Sequence, residues 1–152
     1  GRQTTLTYPY GGWVATSPLE VIGLNRAQGL HTLALLDLDP TGAGTGEQRP
    51  MQPKDAAESL VAMATKLLES FEDMPNDSPL EVVRRDAAKQ ISSDIGSLMV
   101  VLCTDMGTPN QSIVYVPVSE LSDTPEGGLH CLVIPADPGE VEAEALQRWT
   151  KV

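Results

Sequence analysis

The sequence predicts an α/β domain of three layers, a mixed sheet of about five strands between flanking helices. Two observations carry that prediction. The runs Leu30–Leu38 and Ser97–Cys103 are almost unbroken aliphatic and too short for helices, so they read as strands buried on both faces. Around them, apolar residues recur at helical spacing behind Ser-Pro-Leu-Glu capping signals, the pattern of amphipathic helices. At 152 residues the chain fits one domain, by the prior of about 100–200 residues each.

In chain order, Thr4–Tyr8 is rich in Thr and Tyr and reads as a strand. Pro9–Thr16 is a loop holding Tyr10, Gly11, Gly12 and Trp13. Its aromatics either line a pocket or, the favoured reading, plug the sheet edge. Ser17 as N-cap, Pro18 at N1 and Glu20 at N3 open a helix to Gln28, which Gly29 stops. Gly23 inside this helix has no account in the sequence. Leu30–Leu38 then forms the central strand, with Asp37 and Asp39 interleaved at its far end. Open α/β sheets bind ligands outside the carboxyl ends of their strands, so Leu36–Asp39 is the first candidate for a site.

Pro40–Pro50 contains Gly42, Gly44 and Gly46. A phosphate loop would lead its glycines straight into a helix N-terminus. Glu47–Gln52 intervenes here, so a flexible connector is the favoured reading. Pro53–Glu72 is the clearest helix, with Ala57, Leu60, Val61, Ala64, Leu67, Leu68 and Phe71 in one apolar stripe. Met74–Asp77 breaks it, and Ser78–Glu81 opens another helix through about Ile91. Ser97–Cys103 is the second central strand. Ser112–Pro117 is a strand, Ser119–Thr124 a helical turn and His130–Pro135 the last strand. The closing helix takes Asp137 as N-cap, Pro138 at N1 and Glu140 at N3, and buries Val141, Ala145, Leu146 and Trp149.

Charge and cysteine usage narrow the function classes. Ten Lys and Arg stand against 21 Asp and Glu, a formal charge of −11, which disfavours nucleic acid or an anionic membrane as partner. No apolar run approaches the ~20 residues of a membrane-spanning helix. Cys103 and Cys131 both fall inside predicted strands, which favours a reducing compartment and no disulfide framework, a Cys103–Cys131 bridge being the alternative. There is no G-x-S-x-G, H-E-x-x-H or C-x-x-C. His31 and His130 each begin a strand and read as structural histidines rather than ligands. Asp37 and Asp39 are either an acid/base pair on one strand face or, the favoured reading, turn and cap residues before Pro40.

Four stretches together carry a resemblance: Tyr8–Trp13 (Y-P-Y-G-G-W), Thr16–Asn25 (T-S-P-L-E-V-I-G-L-N), Gly29–Leu38 (G-L-H-T-L-A-L-L-D-L) and Leu129–Leu146. They resemble the C-terminal half of diphthine synthases, S-adenosylmethionine-dependent enzymes of the tetrapyrrole-methylase-like class. The likeness is specific at the two L-H-x-L blocks and weak over Asp73–Leu98. Met51–Leu60 fits the helix after the family's first conserved strand, with Gln52 where the family usually caps with Thr. Residues 40–52 and 73–96 then read as variable connectors.

The resemblance implies the C-terminal domain of a two-domain class III methyltransferase, with S-adenosylmethionine folded into the cleft between the domains. It implies methylation of the modified histidine of translation elongation factor 2 in diphthamide biosynthesis, by a cytoplasmic homodimer. The family's glycine-rich N-terminal strand and G-D-P-like loop have no match here, and Gly1 matches a position just past the domain junction. The expectation is therefore an incomplete enzyme within a longer protein.

For the cofactor the resemblance assigns Leu36, Met106 and His130, and no catalytic residue. Two departures remove positive charge near those positions. The family's A-R-x-G-S is replaced by Cys103–Thr108 with one extra residue, so that Thr104 or Asp105 stands for arginine, and Asp39 replaces a lysine. Methyl transfer asks chiefly for positioning, which agrees with a sequence holding no convincing acid/base pair. The alternative function is a non-catalytic dimerisation or protein-binding remnant of that fold.

Overall fold

The computed structural model describes residues 1–9, 12–43 and 45–150; the readings of Tyr10, Gly11 and Gly44 fall outside them. Strands β1 (Gln3–Leu6), β2 (Thr32–Leu36), β3 (Met99–Thr104), β4 (Ser112–Pro117) and β5 (His130–Ile134) form one mixed sheet. Its order is β1-β2-β5-β3-β4, with β1 and β2 parallel and the other pairings antiparallel. Parallel neighbours need a crossover, and α1 (Ser17–Ala27) supplies it. The helices α2 (Pro53–Glu69) and α3 (Pro79–Ser93) follow β2, and α4 (Glu140–Gln147) closes the chain.

The period of two along each strand divides the sheet into unequal faces. Leu6, Ala34, Leu36, Val100, Leu102, Val116, Leu132 and Ile134 share one face and are buried with Leu19, Ile22, Leu60, Met63 and Ile91 from α1–α3. The other face carries Leu33, Leu35, Val101, Cys103, Ile113, Cys131 and Val133. Among the described residues only the short α4 and Trp149 lie over it, across an apolar cavity of ≈ 330 Å³. The architecture is thus the expected three-layer α/β domain with a thin third layer.

That thin layer overturns two expectations. β2 is buried on one face only, because Leu35 on the other is 39% exposed. The closing helix starts at Glu140, with Gly139 as N-cap and the Glu142 carboxylate accepting the Gly139 N–H, so the Asp137 cap is two residues early. None of its residues is buried, and Val141 is 82% exposed. A two-turn helix lying across a sheet shields it with Ala145 and Leu146 and leaves its first turn in water.

Elsewhere the local signals hold with small shifts. Ser78 caps α3 by accepting the Glu81 N–H, while the Glu81 carboxylate accepts the Ser78 N–H. The cap of α1 lies at Thr16 rather than Ser17, and the expected stop is Gly29, at φ 74°. In α2, Ala57, Leu60, Ala64 and Leu67 are buried as the stripe predicts. Val61 and Leu68 face outward, because Ala56, Ser59 and Met63 occupy the contact instead. Gly23 receives its account here: a Cβ would lie 3.1 Å from the Ala87 carbonyl oxygen and 3.2 Å from Ile91 Cγ2. The glycine lets α1 and α3 approach closely.

Candidate functional site

The carboxyl ends of β1, β2 and β3 fall at one end of the sheet, where β4 and β5 begin. There a cavity of ≈ 410 Å³ is lined by Leu102, Thr104, Asp105, Ser112, Val114 and the segment Thr124–Gly128. Its floor belongs to β3 and β4, whose side chains Leu102, Thr104, Ser112 and Val114 share the α1–α3 face by register.

Local chain chemistry holds the rim. Asp105, at φ 47°, accepts the Leu129 N–H on Oδ1 at 2.8 Å and donates its own N–H to Leu129 O at 2.9 Å. Gly128, at φ 71°, passes so close to that carboxylate that a Cβ would collide with it. On the other side Gln52, the α2 N-cap, accepts the Gly127 N–H on Oε1 at 2.7 Å. Asp55 accepts the Gln52 N–H, completing a capping box that fixes this arm. The Gly127–Gly128 pair shortly before His130 is the sequence signal that could have found this turn. Nothing in the sequence signalled that Gln52, 75 residues away, holds it.

Of the expected cofactor residues, His130 lies next to the cavity. Its Nδ1 is 2.8 Å from the Thr104 hydroxyl. Its Nε2 is sealed from solvent, and no hydrogen bond of ordinary geometry reaches it. Burial pushes the imidazole below its usual range, against the opposing effects of the Gly127 backbone and the Asp105 carboxylate. Leu36 ends β2 on the same sheet face, but it is packed into the core and does not line the cavity. Met106 sits 48% exposed on the turn after β3 and does not line it either.

The other candidates take structural roles. Asp37 accepts the Tyr8 N–H and the Asp39 N–H, and Asp39, fully buried at φ 44°, accepts the Thr45 N–H and hydroxyl. They are turn residues, as the presence of Pro40 argues. His31 accepts the Ala136 N–H on Nδ1 and pairs through Nε2 with Glu142 at 3.0 Å, pinning α4 to the start of β2. That contact and the Gly139 N–H hold the Glu142 carboxyl below its usual range. Trp13 is 63% exposed, with Lys66 Nζ 4.8 Å from its ring centroid. Among the described residues no cluster of three or more His, Cys, Asp or Glu is placed to hold a metal ion, and no helix is long and apolar enough to cross a membrane.

No protein-family model matches the chain. A diphthine synthase of Pyrobaculum islandicum is 28% identical over 151 residues, 99% of this chain and 49% of that protein. A diphthine synthase of Pyrobaculum calidifontis is 32% identical over 147 residues, 97% of this chain and 47% of that protein. The chain is homologous to diphthine synthases. It spans about half the length of the curated relatives it matches. A crystal structure of a diphthine synthase superposes on 99% of this chain and 45% of its own, with a TM-score of 0.67 at 21% identity, so the likeness of fold is independent of close sequence similarity.

Proposed function

We propose that this chain is the C-terminal half of an S-adenosylmethionine-dependent methyltransferase that modifies translation elongation factor 2 in diphthamide biosynthesis. The observation that carries the reading is homology to diphthine synthases along 97–99% of the chain. Elongation factor 2 is then the protein substrate, a second copy completes a homodimer, and the setting is cytoplasmic.

The cavity at the strand ends suits one wall of a cofactor pocket. Its ≈ 410 Å³ lies within the ~300–1,000 Å³ of small-molecule sites. S-adenosylmethionine, when bound, would supply an electrophilic methyl group on a sulfonium. Thr104 and Ser112 offer hydroxyls, and Asp105 and Glu126 a negative field that favours a cation. His130 has a buried ring nitrogen that no hydrogen bond of ordinary geometry reaches, and Thr104 fixes the ring from the other side. With no acid/base pair, the chain's part in the reaction is to position the cofactor and exclude water. The substitution of Thr104 or Asp105 for the family's arginine favours a second reading, the non-catalytic dimerisation or protein-binding remnant.

A chimera separates the two. This chain replaces the matching half of the Pyrobaculum islandicum relative, and transfer of labelled methyl from S-adenosylmethionine to precursor-bearing elongation factor 2 is measured. The enzyme reading expects labelled elongation factor 2. A folded chimera that binds the cofactor yet labels nothing supports the remnant.

A further inference from the structure

Cys103 and Cys131 stand directly opposite each other on β3 and β5, on the thinly covered sheet face. The register sets them in one row with Leu35 of β2 and Ile113 of β4. Both thiols are free and only half-buried, rather than enclosed as their apolar runs predict. The same rung geometry fixes their spacing. Asp105 N–H donates to Leu129 O, and hydrogen-bonded and non-hydrogen-bonded pairs alternate along an antiparallel ladder. Two rungs further on, Cys103–Cys131 is again a hydrogen-bonded pair, whose Cα atoms lie about 5.5 Å apart. Disulfides span Cα separations of about 4.4–6.8 Å.

We infer that Cys103 and Cys131 form a reactive cross-strand dithiol, a modification site that a low-molecular-weight disulfide closes reversibly into an intrachain disulfide. The two sulfurs are poised unequally. Facing each other across the rung, the two side chains interact so that Cys131 is brought down and Cys103 is pushed up, with burial adding to the rise. Cys131 is thus the attacking thiolate at neutral pH. Cys103 borders the apolar cavity under α4 beside Ile113, Val133 and Trp149, and the half-buried Cys131 is reached from the side of its β2 neighbour Leu35, which is exposed.

The step balances as ordinary thiol–disulfide exchange. Cys131 thiolate attacks one sulfur of the small disulfide, forms a mixed disulfide and expels one thiolate. Cys103 then gives up its proton and attacks Cys131 Sγ, the Sγ–Sγ bond forms, and the second small thiolate leaves. Two electrons pass from the cysteines to the small disulfide, which becomes two thiols. The closed rung adjoins the Thr104–His130 rung, so the modification acts one residue from the candidate site on the opposite sheet face.

The test uses the 152-residue chain and hydroxyethyl disulfide, a neutral probe that the −11 formal charge does not repel. Free thiols are trapped by alkylation and counted by intact mass. The expected result is that both thiols disappear together, the product is lighter by two hydrogens, and dithiothreitol restores both. Accumulation of mixed disulfides, of disulfide-linked dimers, or of chains keeping both thiols overturns the proposal. As a second reading of the order of attack, the parent chain with both cysteines is alkylated at pH 7 with less than one equivalent of reagent, and the label is located by peptide mapping. Cys131 is expected to carry most of the label. Equal labelling of the two contradicts Cys131 as the attacking thiol.

Discussion

His130 Nδ1 stands 2.8 Å from the Thr104 hydroxyl across one rung of β3 and β5. The imidazole is therefore anchored at one nitrogen, while the other is buried and lacks a partner of ordinary geometry. A ring held this way is costly to charge.

The pH dependence follows from that cost. Burial sets the folded-state pKa of His130 below the ~6.5 of an unfolded chain, so the unfolded state takes up the proton first. The contribution of neutral His130 is fully present above ~6.5 and is lost as pH falls through the lower folded value. In an NMR titration the His130 C2–H resonance is expected to show a midpoint below the ~6.5 of an unfolded chain, and His130→Gln should flatten the loss of stability as pH falls below ~6.5. A His130 midpoint at or above the unfolded value contradicts the burial argument.

Thr104→Val removes the one firm partner of the ring. Leaving a buried polar group unpaired costs about 1–3 kcal/mol. Urea denaturation should show that loss, and Thr104→Ser, which keeps the hydroxyl, should stay close to the parent. Equal destabilisation by both would assign the effect to packing of the methyl group.

Tyr8 is the second buried hydrogen-bonding group with a clear signature. Burial, then its hydrogen bond to Asp55 at 3.0 Å, raises the phenol to about 12. The raised value means a contribution fully present below the unfolded pKa of about 10 and lost as pH rises through the folded one. Asp55 is itself held below its usual range: the backbone N–H of Gln52, Arg49 and the Tyr8 hydroxyl outweigh its burial. The absorbance of ionised tyrosine should show a late step near pH 12 that Tyr8→Phe removes. Tyr8→Phe should also cost about 1.5–3 kcal/mol, the range for a hydrogen bond to a charged group. A titration unchanged by that substitution contradicts the assignment.

Much of this fold was legible in the sequence because its signals are local. The apolar runs, the Ser78–Glu81 cap and the Gly29 stop each follow from a few neighbouring residues. The third layer was misjudged because Val141, Leu146 and Trp149 look like a buried stripe, and only the sheet's long span shows that two turns of helix cannot cover it. Gly23 was opaque for a related reason: its partners, Ala87 and Ile91, lie on another helix. At the candidate site, the α/β pattern pointed to the strand ends but named Leu36–Asp39, which is core and turn and lies outside the cavity, while His130 entered from a resemblance. The Gln52–Gly127 bridge and the Cys103–Cys131 rung depend on pairings between distant segments, which no local spacing encodes.

The central claim is that this chain supplies one wall of a cofactor pocket and a second domain supplies the other. Well-formed small-molecule sites cover ~70–90% of their ligand. Losing one wall should cost several kcal/mol, three or more decades of affinity at about 1.4 kcal/mol each. The deciding measurement is calorimetric titration of S-adenosylmethionine into the 152-residue chain and, in parallel, into the chimera with the matching half of a diphthine synthase. The account predicts no tight binding to the chain alone and micromolar binding to the chimera. Micromolar binding to the chain alone, or none to a folded chimera, would contradict it.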